Sequence, residues 1–130
     1  MGKNLHYSIP KHLEEALDNH GKVASWQRAD NQLGAKHYIY QITRTSGLPE
    51  FTLHLSDEYQ YTIDDYFQKP SEVAEKSFIL VARPEATYDD AIVEMATQDK
   101  ISLGKFGALM GALYIKDHWN YTPKERREEN

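Results

Sequence analysis

The chain has no cysteine among its 130 residues. That excludes a disulfide scaffold, a cysteine-ligated zinc site and a thiol nucleophile. No apolar run approaches the roughly 18 residues of a membrane span, so no membrane association is expected. The amino terminus, Met1-Gly2-Lys3-Asn4-Leu5-His6, has no apolar stretch behind it. A secretory signal is therefore not expected, and the expected location is cytoplasmic. There is no Gly-x-Ser-x-Gly nucleophile elbow. Gly104-Lys105-Phe106-Gly107 is too short for a phosphate-cradling loop, and no Lys-Ser or Lys-Thr pair follows it. The six histidines include no i, i+4 pair and no His-x-His, so neither a metal nor another cofactor is expected.

Basic residues are scarce in the middle of the chain. Residues 46–99 carry three basic and twelve acidic side chains, a net of −9. The segments 1–45 and 100–130 each carry six basic and four acidic side chains, a net of +2. The acidic block repels a phosphate backbone, so nucleic acid is not an expected partner. It suits a basic protein partner or hard cations.

The length suits one domain, expected over residues 1–122. The charged tail 123–130 lacks apolar anchors and is expected to fray. Ser8-Ile9-Pro10 opens a helix: Ser8 is a natural cap, and Pro10 suits a first turn. Leu13, Ala16, Leu17 and His20 share its apolar face, which predicts helix over residues 10–20, ended by Gly21. Residues 23–28 and 37–45 read as strands, separated by the turn chemistry of Asp30-Asn31-Gln32-Leu33-Gly34. Phe51, Leu53 and Leu55 alternate with Thr52, His54 and Ser56, predicting a half-buried strand with its polar face outward. Together these three form an antiparallel meander.

Residues 57–67 fit a strand through Tyr59, Tyr61 and Ile63, or a helical turn through Ile63, Tyr66 and Phe67. Pro70-Ser71 is expected to start a short helix holding Val73 and Ala74. Phe78-Ile79-Leu80-Val81-Ala82 is apolar on both faces, the pattern of a central strand covered on both sides. Thr87, answered by Asp90, is expected to cap a helix with the buried stripe Ala91, Ile92, Met95 and Ala96. Ile101 is a short buried connection, and Ser102 is expected to start a last helix over Leu103–Tyr114.

The predicted class is α+β (mixed α/β) in three layers. An amino-terminal helix leads into a three-stranded antiparallel meander, a helix, a central buried strand and two carboxy-terminal helices. This element order is similar to that of restriction-endonuclease-like domains. Such a nuclease needs an acid on the second meander strand and Glu-x-Lys or its equivalent on the third. Here those strands read His37-Tyr38-Ile39-Tyr40-Gln41-Ile42-Thr43-Arg44 and Phe51-Thr52-Leu53-His54-Leu55, without either. The expected function is accordingly a small protein-interaction module without catalytic activity, a degenerate nuclease-like domain being one form of it.

Asp57, Glu58, Tyr59, Tyr61, Asp64, Asp65 and Tyr66 combine tyrosine with acid and include no lysine, a composition suited to a basic protein. A homodimer is a further expectation, through Gly107, Met110, Gly111 and Trp119 on and after the glycine-bearing last helix. The competing reading is a small metal-dependent hydrolase or nuclease using His54, Asp57, Glu58 and Arg83 at the strand ends.

Overall fold

The computed structural model describes residues 8–29, 37–56, 59–83 and 85–120. The predicted 123–130 tail, the 30–34 turn, Asp57 and Glu58 lie outside the described residues. The chain opens with α1 (Ser8–Asn19), which buries Leu13 and Leu17. The meander follows as β1 (Val23–Arg28), β2 (His37–Arg44) and β3 (Phe51–Ser56). Then come β4 (Gln60–Tyr61), α2 (Ile63–Phe67), β5 (Ser77–Val81), β6 (Thr87–Tyr88), α3 (Asp90–Gln98), β7 (Ser102–Gly104) and α4 (Phe106–Ala112). A 3-10 turn at His118–Asn120 ends the described chain.

The main sheet has the order β1-β2-β3-β5-β7. β1, β2 and β3 are antiparallel neighbours, whereas β3, β5 and β7 run parallel. β5 thus lies between two parallel partners, with Leu55 beside Leu80 and Ile79 beside Leu103. All five of its residues are buried, as an apolar run covered on both faces requires.

Two cores account for the three layers. On one face α1 and α4 pack against Leu53, Leu55, Phe78 and Leu80. On the other, Tyr66 of α2 and Ile92 and Ala96 of α3 pack against Ile79, Val81 and Leu103. Arg44, at the end of β2, is almost fully buried. Its guanidinium donates to the carbonyls of Pro49 (2.9 Å), Leu113 (3.1 Å) and Ile115 (2.9 Å), satisfying carbonyls just past the end of α4.

Several local expectations are corrected. His54 and Ser56 are buried, at 3% and 0% exposure, instead of facing solvent. β3 is the strand at which the sheet turns parallel, and the α2–α3 layer covers its second face. Residues 70–76 form turns and no helix. Lys76 takes a left-handed φ of 73°, incompatible with continued helix, and its N–H is held by the Lys100 carbonyl at 2.7 Å.

Thr87 does not cap α3. It pairs in β6 with Gln60 and donates its N–H to the Tyr59 carbonyl, so Asp89 falls at the cap position. Ala91 is exposed, which narrows the buried stripe of α3 to Ile92 and Ala96 with half-buried Met95. Residues 102–104 are strand, because the open edge of β5 recruits them, and helix begins only at Phe106.

Candidate interaction surface

The surface is set by β4 and β6. These two short strands pair in parallel, with Tyr61 beside Tyr88, and each runs directly into a helix. Thr62 is the N-cap of α2. Its hydroxyl accepts from the Asp65 N–H (3.2 Å), while the Asp65 carboxylate accepts from the Thr62 N–H (2.8 Å). This reciprocal pair fixes the rotation of a helix only five residues long. Tyr66 therefore points inward, and Ile63, Asp64 and Phe67 point out. Thr62→Ala is expected to lower stability by about 1 kcal/mol, read from the midpoint of urea unfolding.

At the far end, the Tyr66 hydroxyl donates to the Asp99 carboxylate just past α3, at 2.5 Å. Burial and then this carboxylate hold the Tyr66 phenol protonated, well above its usual range. Lys69 lies 3.9 Å over the same ring. α2 and α3 consequently start from one paired edge, and the Tyr66–Asp99 hydrogen bond joins α2 to the end of α3.

The predicted tyrosine-acid residues divide. Tyr61 and Tyr66 are core residues, at 1% and 2% exposure, because both face the sheet. Tyr59 is 59% exposed, with the Arg83 guanidinium 4.3 Å from its ring centre. Asp64 is exposed, and Asp65 is half-buried in its capping role. Two residues missing from the predicted set belong to this surface: Ile63 at 45% and Phe67 at 65% exposure. They stand one helical turn apart on the outer side of α2. The signal for them was the Thr62-x-x-Asp65 capping box, which sets the helix register. On α3, Asp90 and Glu94 are exposed, following exposed Asp89.

The other candidates lie elsewhere in the fold. His54 lies under the α2–α3 layer, while Arg83 sits past the end of β5, 3.6 Å from Glu85. Lys105 donates to the carbonyls of Arg83 (3.2 Å) and Ala86 (2.6 Å) and ties that turn. Among the described residues no three His, Asp or Glu side chains gather where a metal ion would be held. Gly107 is exposed, and Met110, Gly111 and Trp119 are half-buried, while Ala108, Leu109 and Ala112 face the sheet.

A cavity of about 490 Å³ opens between the 69–75 segment and the end of α3. Lys69, Lys100, Glu75 and Asp99 balance charge around its floor of Val73 and Ile101.

One pair has the outline of a nucleophile and base. The Ser102 hydroxyl lies 2.7 Å from His118 Nδ1, and His118 Nε2 lies 3.1 Å from the Lys76 carbonyl. A carbonyl only accepts, so Nε2 carries the proton and Nδ1 accepts from Ser102. Burial, against the Lys76 hydrogen bond and aided by the Arg44 charge, brings the His118 pKa down to about 4. A base that weak takes little of a serine proton at neutral pH. Phe51, Phe78 and Trp119 also surround the imidazole. The arrangement acts as a latch holding the 3-10 turn to β7.

No family model matches the chain, and no curated protein or solved structure is detectably similar to it. Among the described residues, no helix is long and apolar enough to cross a membrane.

Proposed function

We propose that the chain is a protein-interaction module without catalytic activity, which docks a protein partner through Tyr59, Ile63, Asp64 and Phe67. One observation carries this reading. Three of the four large apolar side chains left exposed among the described residues lie within segment 59–67. Single exposed apolar residues are ordinary, but a cluster rimmed by acid is the composition of a contact surface. The acids favour a partner of positive charge and disfavour a phosphate backbone.

Ile63→Ser with Phe67→Ser tests this directly. Both side chains project into solvent, so the doubly substituted chain should unfold within about 1 kcal/mol of the wild type. It should lose a partner that the wild-type chain captures from its host extract. Capture undiminished by the double substitution would remove this surface from the proposal. Capture between two differently tagged copies of the chain, and its loss in Gly111→Leu, reads the proposed homodimer through Gly107, Met110, Gly111 and Trp119.

A further inference from the structure

We infer that the occupant of this surface is a basic amphipathic helix of a partner protein, gripped by α2 and α3 together. This rests on the reading above and names the chemistry of the partner. The first argument is charge. α2 and α3 come wholly from the acidic segment 46–99, and both crossovers place their helices on one face of the sheet. Both helices on that face are therefore drawn from the acidic block. Its exposed carboxylates include Asp64 on α2, Asp89 at the cap of α3, and Asp90 and Glu94 one turn apart on α3.

The second argument is shape. Ile63 and Phe67 are separated by four residues of helix, about 6 Å of rise, which is also the step between i and i+4 residues of a docking helix. Tyr59, exposed before the start of α2, adds a third large apolar side chain to the same segment, with the Arg83 guanidinium 4.3 Å from its ring centre. The third argument is alignment. The β4–β6 pair starts α2 and α3 from one edge, and the Tyr66–Asp99 hydrogen bond joins α2 to the end of α3. A helix seated along Ile63 and Phe67 and extending over α3 would meet the exposed Asp90 and Glu94. Apolar residues supply the anchor, and lysine or arginine on the flanks meets the acids.

Three synthetic peptides in helical spacing test this, read by amide shifts of the intact chain. One combines lysine with leucine, one replaces lysine by glutamate, and one keeps lysine but replaces leucine by serine. The Lys/Leu peptide should shift Tyr59, Ile63 and Phe67 together with residues 90–98, and bind several-fold more weakly as salt rises. Phe67→Ser should weaken it about tenfold at any salt, as loss of a central anchor does. Asp90→Asn with Glu94→Gln should weaken it several-fold at low salt, with the difference closing at high salt.

Equal binding of the Glu/Leu peptide at the same residues would overturn the basic partner and leave the surface standing. Equal binding of the Lys/Ser peptide would overturn the apolar anchor. A Lys/Leu peptide that shifts only other residues, or none, would overturn the inference as a whole. Whether the surface docks any partner is decided separately, by the capture experiment with Ile63→Ser and Phe67→Ser.

Discussion

Leu80→Asp is expected to abolish the folded state. Leu80 is 1% exposed, sits on β5 between β3 and β7, and packs in the core under α1 and α4. Replacing it removes a buried side chain, a change that costs about 2–5 kcal/mol even when alanine is the substitute. It also places a carboxyl among apolar core side chains, which forces either a buried charge or protonation far above the usual carboxylate range. The sum consumes most or all of the roughly 5–15 kcal/mol that holds a domain together.

The far-ultraviolet dichroism of the variant should lose its cooperative thermal transition. Leu80→Met, which nearly conserves volume, should cost less than about 1.5 kcal/mol. A variant Leu80→Asp that melts cooperatively near the wild-type temperature would contradict a central position for β5.

Stability should fall as pH drops from about 6.5 to about 4, and His118 should account for much of the fall. In the unfolded chain this histidine takes a proton near its ordinary pKa of about 6.5. In the folded chain burial first, and the Arg44 charge in addition, bring that value to about 4, against the opposing Lys76 carbonyl and Asp117. Above pH 6.5 both states are neutral at this residue, and the contribution is fully present. Below it the unfolded state gains a proton that the folded state refuses, so the unfolded state is favoured.

The loss continues until the folded histidine titrates as well. Over about 2.5 pH units it amounts to about 3 kcal/mol, of which about 2 kcal/mol is gone by pH 5. Urea unfolding at pH 7 and pH 5 measures it. In His118→Gln, which has no titrating group at this position, the difference between the two pH values should shrink by about that amount. An unchanged difference would show that other groups govern the acid response. Because the comparison is between two chains at the same pH values, the common carboxylates cancel.

The sequence was most informative where a pattern is local and its partner is the core in general. Leu13 and Leu17 announced α1 by spacing alone, and the wholly apolar run at Phe78–Val81 announced a strand covered on both faces. The limits appeared where a residue answers to a specific neighbour. His54 reads as polar and outward by alternation, but a strand that acquires a parallel partner also acquires a covering helix layer. Ser102, followed by an apolar glycine-bearing run, reads as a helix start. The bare edge of β5 offers that backbone hydrogen bonds a local pattern does not encode. Thr87 met the same competition and went to β6, while the equally visible capping box at Thr62 formed because nothing competed for it.

The division is the same at the candidate surface. Composition alone determined that residues 46–99 are acidic and that the chain carries no nucleophile elbow, phosphate loop or cysteine chemistry. Only the tertiary structure decided that α2 and α3, both drawn from that segment, sit on one face of the sheet. It also decided which aromatics serve the core. Tyr61 and Tyr66 turn inward, whereas Tyr59 and Phe67 turn out, and Ile63 joins them. The five residues of α2 are too few for helical periodicity to choose an inner face. That choice fell to the Thr62–Asp65 hydrogen bonds and to the distant Asp99, the partner waiting for the Tyr66 hydroxyl.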